Sequence, residues 1–312
     1  MSDARIAVLI PCYNEEAAIG QTVRDFRAAF PRADLYVYDN NSRDQTSARA
    51  REAGAIVRIE PRQGKGNVVR RMFADIEADI YVLVDGDDTY DATAAPGLVK
   101  MLVDDGLDIV TGRRVHTQAD AYRAGHVLGN KLLTGLTALM FRVKLRDMLS
   151  GYRIMSRRFV KSFPFTAEGF GIETEMTVHS VRMLMPMAEI DTHYKERPAG
   201  SVSKLNTYRD GFKILFTIAA LVREERPLIF FGALFALFAL ASLLLGAPVL
   251  LHFWRFHDVP RLPTAVLSAV LMLVAFLALA SGLILDTVTR GRWETKRMRY
   301  LAIPGPHDLT LS

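Results

Sequence analysis

The chain has 312 residues, 50% of them apolar and 23% charged, with a formal charge of +5. That length suits one large domain or two small ones with a sizeable core, and the single cysteine, Cys12, excludes an internal disulfide. The positive balance is modest and comes without a recognised nucleic-acid motif or an aromatic-interleaved basic stripe, so no nucleic-acid partner is expected.

In chain order, the first apolar run is stopped by Pro11 after a few positions, too short for a secretory signal, which predicts a cytoplasmic N-terminal part. From Arg5 to about Thr111, short β-branched runs alternate with amphipathic stretches, the pattern of a mostly parallel sheet with crossover helices. Strands are predicted at Ile6–Ile10, Leu35–Tyr38, Ala55–Ile59, Ile80–Val84 and Asp108–Thr111. Helices are predicted at Glu15–Phe30, Ser42–Ala53, Lys65–Ala78 and Thr93–Asp104, with Ser42 and Thr93 as caps. Beyond Gly112 the pattern loosens. Asn130–Phe141 and Asp210–Val222 read as core helices or as amphipathic helices at a membrane surface.

Leu228–Phe253 and Thr264–Leu285 contain no Asp, Glu, Lys or Arg. Each exceeds the roughly 20 residues a helix needs to cross a ~30 Å hydrocarbon core, so two membrane spans are predicted. Arg223 and Arg226 precede the first, and Arg290, Arg292, Lys296, Arg297 and Arg299 follow the second, whereas the linker carries only Arg255 and Arg261. This favours a hairpin with both ends on the cytoplasmic side, with Trp254 and Trp293 at the interfaces and membrane lipids as partners. The predicted division is a catalytic domain at 1–206, an interfacial helix at 207–226, a hairpin at 227–289 with spans near 228–253 and 264–286, and a basic tail at 290–312.

The richest chemistry follows the fourth predicted strand, where Ile80–Val84 runs into Asp85-Gly86-Asp87-Asp88. Ligands of open α/β sheets collect at the carboxyl ends of strands, and carboxylate oxygens there suit a hard divalent cation such as Mg²⁺ or Mn²⁺, which in turn holds a diphosphate. Two further strand-to-helix turns, Pro11-Cys12-Tyr13-Asn14-Glu15 and Asp39-Asn40-Asn41-Ser42, lie at the same predicted edge, where a base and ribose could meet a carboxylate and a ring. Each alone is also ordinary turn and cap chemistry. Cys12 reads as a small strand-end residue, since no base can be argued beside it. Gly64-Lys65-Gly66-Asn67 lacks the spacing of a Walker loop and reads as a helix start near a sugar nucleotide. Glu173 and Glu175 could reach sugar hydroxyls or simply favour a helix start.

Taken together, these turns resemble family 2 of the inverting glycosyltransferases, with its Tyr-Asn-Glu turn, Asp-Asn-Asn-Ser turn and Asp-x-Asp metal site. Asp147–Arg153 and Arg197-Pro198-Ala199-Gly200-Ser201-Val202-Ser203-Lys204, followed by a two-span hairpin, narrow the resemblance to the polyprenyl-phosphate branch, which includes dolichyl-phosphate mannose and glucose synthases and undecaprenyl-phosphate relatives. The resemblance implies a nucleotide-diphospho-sugar transferase (GT-A, Rossmann-like) α/β domain. It implies that Pro11, Tyr13, Asn14, Glu15, Asp39, Asn41 and Lys65 surround the nucleotide, and that Asp85, Gly86 and Asp87 approach the diphosphate. Asp87 is then the foremost metal ligand, with Asp85 beside it. Thr89 stands where mannose synthases often carry Gln, leaving Asp88 or water as the third ligand. Two bound phosphate groups repel unless cations separate them, and Arg113, Arg123, Arg153, Arg197 and Lys204 are the candidates, helped by Ser201 and Ser203.

The expected reaction is transfer of sugar, with inversion, from a nucleotide sugar to a polyprenyl phosphate. A phosphate monoester is largely ionised at neutral pH, so no strong general base is needed. The turns favour UDP-glucose or UDP-N-acetylglucosamine over GDP-mannose. A membrane-tethered scaffold without turnover is the competing class, and a lipid alcohol acceptor the competing chemistry. Homo-oligomerisation is left open.

Overall fold

Segments such as Val8-Leu9-Ile10 and Tyr81-Val82-Leu83 are apolar on both faces, the pattern of strands covered by helices on both sides. In the computed structural model, which describes residues 4–116, 135, 145–164, 171–195, 219–220 and 222–311, they are the fully buried centre of a sheet. β1 (Ile6–Cys12), β2 (Asp34–Asp39), β3 (Ile56–Ile59) and β4 (Ile80–Leu83) run parallel. β5 (Ile109–His116), β6 (Arg153–Ser156) and β7 (Met187–Tyr194) complete the order β3-β2-β1-β4-β6-β5-β7. The mostly parallel sheet expected from sequence is therefore mixed, because β6 runs antiparallel to both β4 and β5. All four β6 residues are buried, so no period-2 alternation announces it.

The helices are α1 (Ile19–Ala29), α2 (Thr46–Glu52), α3 (Lys65–Asp75), α4 (Ala95–Asp104), α5 (Arg157–Ser162) and α6 (Ile172–Arg182). They begin later than predicted where the strand-end turns consume residues. Ser42 is not a helix cap, because its hydroxyl accepts from the Asn14 amide within a turn. Thr93 is likewise displaced: Asp91 caps a short 3-10 turn by accepting from the Thr93 amide at 2.9 Å. The register pairs Cys12 with Asp39 and Leu9 with Leu83, which gathers the carboxyl ends of β1, β2 and β4 at one edge.

Two compact units are distinguished: Met1–Ile214 with Lys296–Ser312, and Leu215–Thr295. In the first, the C-terminal residues are part of the α/β domain. The Asp108 carboxylate is fully buried and accepts from Ser156 Oγ at 2.7 Å, Arg158 Nε at 2.5 Å and Tyr300 Oη at 2.7 Å. The Arg158 guanidinium stacks over the Tyr300 ring at 4.8 Å, and the Ala4 amide donates to the Thr310 carbonyl at 2.9 Å. Tyr300→Phe removes one donor to a buried charge. It should cost about 1–2 kcal/mol and lower the thermal midpoint by several degrees. Scanning fluorimetry of the full chain measures this, and an unchanged midpoint would detach the tail from the domain's stability.

The second unit contains α7 (Pro227–Phe256) and most of α8 (Leu262–Leu301). They pack antiparallel, with Ser242 Oγ donating to the Ser268 carbonyl at 2.7 Å and Phe235 against Phe276 at 5.8 Å. Only 6% and 11% of their most apolar windows are buried, so these are not core helices of the chain but apolar surfaces that suit lipid. α8 continues to Leu301, through the stretch predicted as a separate basic tail. Asn130–Phe141, apart from Gly135, and nearly all of Asp210–Val222 lie outside the described residues.

Candidate functional site

The first two strand-end turns interlock. Asn14, left-handed at φ 53°, donates its amide to Ser42 Oγ at 2.9 Å and accepts the Arg43 amide on Oδ1 at 2.8 Å. The Glu15 amide donates to Thr46 Oγ1 at 2.8 Å, and Glu16 Oε2 accepts the Gln45 amide at 2.8 Å. Asp39, nearly buried at the end of β2, accepts the Ser42 amide at 2.9 Å and Ser47 Oγ at 2.5 Å. Asn41, at φ 64°, donates to the Pro61 carbonyl at 2.8 Å. Pro11, buried on β1, pairs in register with Tyr38.

Asn40, which the sequence shows only as a member of its turn, ties this pair of turns to the next. Its Nδ2 donates to the carbonyls of Glu60 at 2.8 Å and Arg62 at 2.7 Å, while its Oδ1 accepts the Gly64 amide at 2.6 Å. That bond fixes the start of α3 and hence Lys65. The Lys65 ammonium bridges two carboxylates, Asp85 Oδ1 at 2.5 Å and Glu173 Oε1 at 2.6 Å. Burial pulls its pKa down, but the two carboxylates outweigh it and the net direction is upward, so the ammonium is charged. The Asp85 carboxyl is driven up by burial, opposed by Lys65 and reinforced by Asp87 and Glu173. Two carboxylates on one ammonium, with Asp87 acting on Asp85 as well, leave an excess of negative charge, which a divalent cation would relieve.

The acidic turn is held tightly. A side chain at Gly86 would collide with Cys12 Sγ, which explains a glycine between two aspartates and gives the buried Cys12 a packing role. Burial pushes the Cys12 thiol well up, which removes it as a nucleophile. Asp87 is almost fully buried and accepts Thr89 Oγ1 at 2.6 Å. Asp88, left open as a third ligand, is turned to Lys195 at 3.6 Å. On the far side, the Gly151 amide donates to Tyr90 Oη at 2.9 Å, and a Cβ at Gly151 would lie 2.5 Å from Asp85 Oδ2. Gly151 and Tyr90 thus seat Asp85; the Ser-Gly-Tyr-Arg segment was legible, but not that its glycine backs a carboxylate.

The candidate phosphate cations divide. Arg113 is held by Asp191 through two bonds of 2.5 Å on the exposed side of β5 and β7. Arg153, expected to meet an acceptor phosphate, is instead interior: Nε donates to the Ser150 carbonyl at 3.0 Å, and Nη2 to the Met148 carbonyl at 2.7 Å and Thr177 Oγ1 at 2.9 Å. It is 1% exposed, and burial lowers its pKa to about 10. Its place opposite Leu83 in the antiparallel β4–β6 pair turns it inward, and that strand was invisible in the sequence. Arg114, not singled out before, is paired with Asp147 by two bonds of 2.8 Å. Arg123, Arg197, Ser201, Ser203 and Lys204 lie outside the described residues.

Among the described residues, no three His, Cys, Asp or Glu side chains form a ready-made metal cage. One or two carboxylates fit Mg²⁺ or Mn²⁺ when the remaining positions go to waters and to substrate phosphates, and Asp87 and Asp85 supply that number.

This arrangement has known counterparts. The model of Glycosyl transferase family 2 matches residues 7–163. Glycosyltransferase AglJ of Haloferax volcanii is 32% identical over 301 residues, covering 95% of this chain and 98% of its own. A dolichyl-phosphate hexose transferase of the same organism is 30% identical over 222 residues, 71% of this chain and 95% of its own. Among solved structures, glucosyl-3-phosphoglycerate synthase from Mycobacterium tuberculosis, in complex with Mn²⁺, uridine diphosphate and glucosyl-3-phosphoglycerate, superposes with a TM-score of 0.54 at 25% identity, over 70% of this chain and 79% of that one. The mixed sheet with its acidic turn and interlocked strand-end loops is therefore that of a GT-A glycosyltransferase, and the chain belongs to glycosyl transferase family 2.

Proposed function

We propose that the protein transfers a hexose from a UDP-sugar, UDP-glucose or UDP-N-acetylglucosamine, to a polyprenyl phosphate, with inversion at the anomeric carbon. The observation that carries this reading is the half-buried Asp85–Lys65–Glu173 bridge beside Asp87, at the carboxyl end of β4, in a chain that also has two span-length apolar helices. Asp39, Asn41, Tyr13, Asn14, Glu15 and Pro11 enclose the nucleoside, and Lys65 neutralises the donor diphosphate. Asp87, with Asp85, would hold a divalent cation, which when bound stabilises charge on the departing diphosphate.

The acceptor's phosphate oxygen forms the new bond to the anomeric carbon as the bond to the β-phosphate oxygen breaks. The nucleoside diphosphate leaves with the electron pair. Since the acceptor is already an anion, the chain's task is alignment and charge separation rather than proton removal. Arg197, Lys204, Ser201, Ser203 and Arg123 take the acceptor phosphate, and Arg113, paired with Asp191, adds positive charge that screens the two anions. The two apolar helices cross the cytoplasmic membrane, with the catalytic domain on its inner side, where both substrates meet.

Purified full-length protein in nanodiscs with undecaprenyl phosphate and Mg²⁺ or Mn²⁺ should move label from one of a panel of nucleotide sugars into the lipid phase, and EDTA should stop it. Label from GDP-mannose alone would reassign the donor. Transfer only to diacylglycerol, or to no lipid, would overturn the acceptor.

A further inference from the structure

The turn Asp85–Asp91 carries four carboxylates in seven residues, at positions 85, 87, 88 and 91. Lys65 accounts for Asp85. On the opposite flank a second lysine, Lys195 at the end of β7, has no part in the reaction described above. Its ammonium lies 3.6 Å from Asp88 Oδ1 and 3.7 Å from Asp25 Oδ2, and its backbone amide donates to the Thr89 carbonyl at 2.8 Å. Next to it, Tyr194 and Tyr90 form a backbone bridge with their rings 5.3 Å apart.

The backbone contacts hold Thr89, whose hydroxyl in turn donates to Asp87. The side chain acts on Asp88, a non-glycine residue in the left-handed region at φ 55° that puts its carboxylate on the Lys195 side of the turn. Without the ammonium, Asp88 and Asp25 would face each other uncompensated, and the Asp88 carboxylate would be drawn to any cation bound at Asp87. The contacts are long and partly solvated, so they add little to stability. Their effect is geometric.

We propose that Lys195 is a positioning residue of the donor site: by holding Asp88 away from Asp87 it keeps the acidic turn in the form that accepts a metal–nucleoside diphosphate. This rests on the nucleotide-sugar reading above. The test is calorimetric titration of full-length protein in detergent with Mn²⁺–UDP, alongside the thermal midpoint and the steady-state constants for the donor. Lys195→Met should weaken Mn²⁺–UDP binding about tenfold and raise the donor KM similarly, with kcat nearly unchanged and the midpoint within a degree or two. Lys195→Arg should restore binding. In an Asp88→Asn background, Lys195→Met should have little further effect, because the two residues act as one unit. Wild-type-like binding by Lys195→Met would overturn the proposal and leave the donor reading intact, and so would a lowered midpoint with unchanged affinity. Failure of the wild type to bind Mn²⁺–UDP would overturn both.

Discussion

Asp87→Asn should abolish metal-dependent transfer, by about three orders of magnitude, while leaving the fold intact. The carboxylate is nearly buried at the exit of the central strand β4, where it accepts the hydroxyl of Thr89 at 2.6 Å. An amide fits the same space and can still accept that hydrogen bond, so packing is preserved. What is lost is the negative charge. Removal of a cation's contribution to transition-state charge is worth several kcal/mol, and each ~1.4 kcal/mol is a factor of ten in rate. The measurement is kcat/KM against Mn²⁺ concentration, with the thermal midpoint as control. Undiminished turnover would remove Asp87 from the metal site.

Gly151→Ala should be nearly as damaging, though position 151 carries no functional group. A methyl there would sit 2.5 Å from Asp85 Oδ2 and 2.9 Å from Asp85 Cγ, both well inside van der Waals contact. Either the carboxylate swings away from Lys65 or the segment from Gly151 shifts, taking with it the amide that binds Tyr90 Oη. A displacement of about 1 Å in a catalytic constellation can cost about 100-fold in rate. The expected signature is that loss in kcat/KM, with a midpoint lowered by only a few degrees. Near-wild-type activity would show that Asp85 tolerates being moved.

The first half of the domain was readable because its signals are local. β1 to β5 and α1 to α4 are apolar runs and amphipathic stretches punctuated by turn residues, and the carboxylates of the acidic turn follow their strand directly. β6 shows no such run because Arg153 and Ser156 bracket only two apolar residues, and its inward-facing Arg153 then reads as a surface cation. The bridge from Lys65 to Glu173 joins residues 108 positions apart, and the contacts of Lys195 with Asp88 and Asp25 are also long-range. No spacing rule anticipates such pairs; they exist only once β4, α3, α6 and β7 meet at one sheet edge.

The carboxylate of Asp108 takes a hydrogen bond from Tyr300, and the chain between them contains both long apolar helices. A residue cannot donate to a partner on the other side of a bilayer. The number of crossings between positions 108 and 300 must therefore have even parity. Fusing a reporter to the C-terminal end and another to the N-terminal end should give the same sidedness, a requirement set by one tyrosine hydroxyl independently of the distribution of basic residues.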